Sequence, residues 1–219
     1  MKKRMAIVLM LVIVISAFFS MPAAAASGKV SKTGYHKLIK TKKYIYCADG
    51  YSIYRVNCKT KSVKRLVTDE NHIYNMQIHK GYIYYGTYPM GPELCLYRVK
   101  TTGKHHKSIG YCHIINGRKF NGYVVKGSHI YYKNWKGKII RANLEGKKGK
   151  AVKIKLVNNT KKMNTEGYKI IIRESDDFYA DYDMCGNKYH TGYMVSYLRF
   201  PNGEKIRLGK TDAKDITIL

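Results

Sequence analysis

The stretch His129 to Gly146, HIYYKNWKGKIIRANLEG, is an aromatic and β-branched run, a tight Lys136-Gly137 turn, a second apolar run ending on Arg141, and a polar Asn143 to Gly146 turn. The same pattern occurs twice upstream, as YIYCADGYSIYRVN from Tyr44 and YIYYGTYPMGPELCLYRVK from Tyr82. The arginines ending the second run, Arg55, Arg98 and Arg141, are spaced 43 residues apart. A fixed period of this length marks a repeat architecture in which each unit buries its apolar face against its neighbours.

Around this core pattern each unit adds two more strands. The first unit reads as Tyr35 to Ile39, Tyr44 to Cys47, Ser52 to Val56 and Ser62 to Val67. An Asp49-Gly50 hairpin turn in it would set Cys47 opposite Ser52. The second unit runs Ile73 to Ile78, Tyr82 to Tyr85, Cys95 to Val99 and His106 to Gly110, its hairpin lengthened by Pro89-Met90-Gly91-Pro92. Proline cannot donate to a ladder, so that insertion is a loop. The third unit runs Gly122 to Val125, His129 to Tyr132, Lys138 to Arg141 and Val152 to Leu156. The fourth diverges: Tyr168 to Arg173 and Val195 to Phe200 flank a long loop, Glu174 to Gly192, and Lys205 to Leu208 closes the unit. Asp215 to Leu219 reads as one more strand, able to close a ring by pairing with the first unit. Four short strands per unit and no helical period predict an all-β, β-propeller-like domain over 35–219. It has about four four-stranded blades (near 35–70, 71–110, 111–160 and 161–210) and an incomplete or C-terminally closed ring.

The N-terminus reads differently. Lys2, Lys3 and Arg4 precede an apolar run from Ala6 to Phe19 and a small-residue stretch from Ala23 to Ala26, the pattern of a secretory signal peptide cleaved near Ala26. The run falls short of the ~20 residues that span a bilayer. Residues 27–34 form a polar lead. The chain is therefore expected to be secreted or extracellular, in contact with the cell wall, with no transmembrane span after cleavage.

Charge is lopsided, with 41 Lys+Arg against 14 Asp+Glu, a net +27. Such an excess concentrates polyanions at the surface in a salt-dependent way. The expected partner of an exported basic chain is an anionic cell-wall polymer or a surface protein. Nucleic acid is a poor fit for a secreted chain, and oligomers are expected if the ring is incomplete. Cys47, Cys58, Cys95, Cys112 and Cys185 form no C-x-x-C pair, which argues against zinc.

The units resemble a known family at Ile130-Tyr131-Tyr132, Trp135, Gly137, Ile140-Arg141, Asn143, Glu145 and Gly146. They are similar to the secreted bacterial propeller repeats of domain-of-unknown-function family 5050, related to the YWTD blades of low-density-lipoprotein receptors. That resemblance implies a β-propeller with a binding role outside the cell and no assigned activity.

Candidate functional residues are few. Tyr85, Tyr132 and Trp135 with Arg55, Arg98 and Arg141 would bind a ligand if strand aromatics formed an exposed platform. The competing expectation is that the tyrosines pack the core and the strand faces. Asp177, Asp181 and Asp183 lie in an acidic loop, and Asp181-x-Asp183-x-Cys185-Gly186 is a partial calcium loop. Its fifth position is Cys185 and its twelfth Gly192, so the loop is expected to neutralise nearby lysines, and no cofactor is expected. Cys185 and His190 lack a third group to orient a base, so no catalytic residue is assigned. His105 and His106 sit in a lysine-rich turn and read as solvent-exposed. The leading expectation is a non-catalytic binding module, the alternative an exported hydrolase or lyase that uses the loop 174–192.

Overall fold

The computed structural model describes residues 29–33, 37–87, 93–113, 122–159, 167–175, 179–182 and 188–212, and among these every regular element is a β-strand. The first blade is β2 (Leu38–Lys40), β3 (Tyr44–Ala48), β4 (Ser52–Asn57) and β5 (Val63–Thr68), following β1 (Lys29–Thr33) in the chain. The second is β6 (Ile73–His79), β7 (Tyr82–Thr87), β8 (Glu93–Lys100) and β9 (Lys107–His113). The third is β10 (Tyr123–Lys126), β11 (His129–Lys133), β12 (Ile139–Asn143) and β13 (Lys150–Ala151). Each is a four-stranded antiparallel meander, here given strand positions A to D. The fold is all-β and propeller-like, as the 43-residue period requires.

Several elements depart from expectation. The fourth strand of the third unit is Lys150–Ala151, not Val152 to Leu156. The chain then leaves the blade to form β14 (Lys155–Asn159), which pairs in parallel with β1. Part of the expected polar lead is therefore a strand, because pairing satisfies backbone groups in a segment with no apolar face of its own. The fourth blade, β15 (Lys169–Glu174), β18 (Tyr193–Arg199) and β19 (Lys205–Asp212), is three-stranded. Within the long loop lies a small hairpin, β16 (Tyr179–Tyr182) and β17 (Lys188–Thr191). Asp215 to Leu219 lies outside the described residues.

The core is a set of layers between blades. Tyr46, Ile53 and Val67 of the first blade meet Ile73, Met76, Ile83 and Tyr85 of the second. Tyr84, Leu96 and Ile109 of the second meet Tyr123, Ile130 and Ala142 of the third. On its other side the first blade packs Ile45, Tyr54 and Val56 against Leu198, Phe200 and Leu208 of the fourth. Leu156 of β14 packs on Val124 of the third. The blades thus stand in the order fourth, first, second, third, and each fully buried aliphatic or aromatic side chain contributes about 1.5–3 kcal/mol.

Polar side chains fix how the blades face each other. Gln77 acts as a short piece of strand: its Nε2 donates to Tyr123 O (3.0 Å) and its Oε1 accepts from Val125 N (3.0 Å). Tyr123 Oη donates to Asn75 O (2.5 Å) in a fully buried position. The buried Asp49 accepts from Tyr51 N (3.1 Å), Ser52 N (2.8 Å) and, across to the fourth blade, Ser196 Oγ (2.6 Å). This capping makes a longer loop than a two-residue hairpin, so Cys47 lies opposite Tyr54 and not Ser52. Cys47 and Cys58 are free thiols, and burial, followed by the Asp49 charge, pushes the Cys47 thiol up out of the reactive range.

Candidate functional site

In an antiparallel four-strand meander the A–B and C–D turns fall at one end, and the B–C turn and the exit to the next blade at the other. Contacts between blades show that like ends lie together. Arg55 Nη1 donates to Thr101 O (3.1 Å) in the second blade's C–D turn, and Arg98 Nη1 donates to Leu144 O (3.2 Å) in the third's. His79 meets Gly127 O at the A–B turns, and Lys61 pairs with Glu204 (3.7 Å) across the C–D turns of the first and fourth blades.

The A–B and C–D end is the lysine end. It exposes Lys42, Lys43 and Lys59 on the first blade, Lys80 and Lys104 on the second, and Lys126, Lys147 and Lys148 on the third. The two carboxylates described there are both engaged within the protein. Glu145 lies 2.7 Å from Arg98 Nη2, whose hydrogen bond and charge hold its carboxyl below the usual range, and Glu204 is the partner of Lys61. On the first blade a hollow of about 420 Å³ is lined by Lys42, Lys43, Asn57, Cys58, Lys59 and Thr60. Its C–D turn is one residue longer than the others. There Lys61 N bonds back to Asn57 O, where Gly103, Gly146 and Gly203 close to the third residue before them. Asn57 Oδ1 accepts from Lys59 N (2.9 Å) and Thr60 N (3.1 Å), which fixes the enlarged turn. Three lysines and no carboxylate line this hollow.

The opposite end mixes acids, bases and aromatic rings. Asp69, Glu70, Glu174 and Asp212 lie there, with Lys136, Lys138 and Lys153 among the bases. Among the described residues, the exposed large apolar side chains are Tyr74, Trp135 and Tyr193, on strand ends or a turn at this end, and Tyr111 and Ile172, in the halves of their strands nearer to it. Burial raises the Asp69 carboxyl above the usual range.

The residues expected from the sequence to bind are dispersed. Tyr85 is fully buried, its ring covered by Tyr97 (5.5 Å) and His106 (6.0 Å) and its hydroxyl bonded to His106 Nε2 (2.5 Å). It is a core residue, so its ring is closed to a ligand. His106 is exposed, as its lysine-rich turn suggested, but its ring packs on Tyr85 and Tyr97 (5.5 Å), and partial desolvation lowers its pKa. Arg55 and Arg98 lie over the rings of Tyr44 (4.6 Å) and Tyr82 (4.8 Å) and bond the next blade, which makes them seam residues. Arg141 and Tyr132 are half-buried in the third blade, while Trp135, 70% exposed, sits on the B–C turn under the Lys136 ammonium (4.5 Å). These six do not converge on one site. His129 fills the slot of Tyr44 and Tyr82 by register and packs on Tyr131 (6.2 Å).

Asp177 and Asp183 lie outside the described residues, and Asp181 is placed only by its backbone in β16. Among the described residues no group of three His, Cys, Asp or Glu side chains is arranged to hold a metal, and no helix is long and apolar enough to cross a membrane. The lysine hollow was missed because it depends on one extra residue in one turn. The longer Cys58 to Lys61 spacing before β5 was the signal.

No family model matches the sequence, and no curated protein does. Solved structures similar to the chain include a chain of the S. cerevisiae Dbp5 complex bound to Nup159, Gle1, IP6 and ADP (6% identity, TM-score 0.41, 80% of this chain and 46% of that one). An oligogalacturonate lyase in complex with manganese aligns at 13% identity and TM-score 0.40, over 80% of this chain and 53% of that one. A chain from structures of two prolyl endopeptidases aligns at 16% and 0.34, over 75% and 24%. The chain thus spans about half the length, or less, of these proteins.

Proposed function

We propose that this protein is a secreted, non-catalytic β-propeller-like module that docks on an anionic polymer of the bacterial surface through its lysine end. The observation that carries the reading is the separation of charge. Lysines crowd the A–B and C–D turns, and the two described carboxylates at that end are neutralised by Arg98 and Lys61. An external polyanion therefore meets ammonium groups with no internal carboxylate to displace, and the hollow beside Lys42, Lys43 and Lys59 fits a phosphate or carboxylate group. The leader-like N-terminus and the resemblance to secreted propeller repeats favour a place outside the cell. A surface protein with an acidic patch would use the same end.

The test is binding of the chain Ser27 to Leu219 to purified cell walls, with and without teichoic acid, across a salt titration. The expected result is binding that needs the polymer and weakens at least about tenfold between low and moderate salt. Salt-insensitive binding to walls stripped of polymer, or no binding at all, overturns the reading.

A further inference from the structure

We propose that the other end of the first blade carries a second, independent site, a ledge of Tyr51, His72 and Tyr74 that takes a neutral pyranose ring of a glycan. The three rings form a continuous row: Tyr51 and His72 have centroids 5.0 Å apart, and His72 and Tyr74 5.1 Å apart. Tyr74 is 37% exposed, and Tyr51 and His72 are half-buried.

The ledge is built by two turns clipped together. Ile73 N donates to Gly50 O (2.5 Å) and Asp69 N donates to Tyr51 O (2.8 Å), joining the B–C turn of the first blade to its exit. Gly50, at φ +122°, lies so close to His72 that an added Cβ would sit 3.1 Å from the ring. Beneath, Asp49 holds the backbone of Tyr51 and Ser52, and Asp69 Oδ1 caps Asn71 N (3.0 Å). Rings fixed in this way lose little entropy when a ligand stacks on them.

The charges around the ledge select the class of ligand. Burial lowers the His72 pKa and the nearby Lys37 ammonium lowers it further, so the imidazole is neutral at physiological pH. Burial, and then the Glu174 carboxylate of the fourth blade, raises the Tyr51 hydroxyl. One ammonium, Lys37, and the carboxylates of Glu174 and the buried Asp49 thus act on three uncharged rings. A polyanion finds too little positive charge here, and a cation meets Lys37. A pyranose presents an apolar C–H face to the rings and hydroxyls that both donate and accept. It suits a donor on one side and an acceptor on the other.

The experiment titrates the full chain with three neutral trisaccharides, chitotriose, cellotriose and maltotriose, in 0.5 M salt to silence the lysine end. Tyr74→Ala is the test variant, since its ring is the most exposed of the three, and the triple variant K42Q/K43Q/K59Q is the control. The expected result is saturable binding of at least one trisaccharide, weakened tenfold or more by Tyr74→Ala and unchanged in the lysine triple. No trisaccharide binding, equal binding by Tyr74→Ala, or loss of binding in the lysine triple overturns the proposal. Polyanion binding at low salt, measured on the same variants, is a separate readout, so the two sites fail separately.

Discussion

The two ends of the blades differ although both are made of turns. At the A–B and C–D end the turns are short, lysine-rich and nearly free of exposed rings. At the other end lie the exits between blades, the enlarged loops, the exposed aromatics and most of the described acids. The cause is topological. In a meander, alternate turns fall at opposite ends, so a repeat that places lysine in the same two turns of three units builds a single basic face without any long-range design. The lesson is that charge in a repeat protein should be counted by turn type and not along the chain.

The comparison depends on the seams that keep like ends together, and the largest predicted effect is there. Gly146, at φ +78°, closes the third blade's C–D turn directly against the Ile109 carbonyl of the second, which an added Cβ would overlap. Gly146→Ala should cost about 3 kcal/mol, from left-handed backbone strain together with overpacking. Denaturant unfolding measures it, and a loss below about 1 kcal/mol would mean that the third blade's turn is not seated on the second.

Arg98 is next. Its guanidinium lies over Tyr82, donates to Leu144 O and pairs with Glu145. Arg98→Ala should cost about 2 kcal/mol, from the lost bond between blades and the lost ring contact. It should also release Glu145 at the lysine end and so weaken polyanion binding beyond the loss of one charge. Arg55→Ala, which has no carboxylate partner to release, should destabilise less. Equal binding losses would break the idea that neutralised acids matter at that end.

The arginines also mark how far the sequence could be read. Their 43-residue spacing gave the blade, its hairpins and the strand order of three units, because local alternation and turn chemistry decide those features. Their role was not legible, since an arginine ending a strand looks the same whether it faces a ligand or a neighbouring turn. The acceptors Thr101 and Leu144 lie three residues beyond the next unit's arginine, a regularity that has meaning only once blades are stacked. Tyr85 read as a possible platform because alternation names two strand faces and cannot tell which one a neighbouring blade covers. The departure of β14 to pair with β1 depends on a partner more than a hundred residues away. The Asp49 loop was misread as a two-residue turn because its carboxylate caps the backbone locally and also reaches Ser196 of the fourth blade.

Acid should probe both ends at once with a smaller effect. His72 belongs to the aromatic end and His106 to a C–D turn, and burial lowers the pKa of each below 6.5, the ordinary value. A folded pKa below the unfolded one means that the unfolded chain binds more protons. The stabilisation is therefore complete above about pH 6.5 and is lost as the pH falls toward the folded values. Asp69, raised by burial, acts with the opposite sign in its own, more acidic range. His72→Gln and His106→Gln should each flatten part of the slope between pH 6.5 and 5. If His106→Gln alone removes it, the aromatic ledge contributes no pH sensitivity.

Trp135 supplies the smallest effect and the sharpest contrast with Tyr74. Both are exposed aromatics toward the same end, but Trp135 sits on a free hairpin turn whose backbone is held by Asn134 and Lys138. Tyr74 instead stands in a row of rings braced by two turns. Trp135→Ala should change stability by no more than about 0.5 kcal/mol, as for a surface side chain outside any network. If the ledge is the glycan site, it should also leave trisaccharide binding intact where Tyr74→Ala weakens it tenfold or more. A Trp135→Ala variant that lost sugar binding would move the site from the first blade to the third and make exposure, not the braced row of rings, the property that matters.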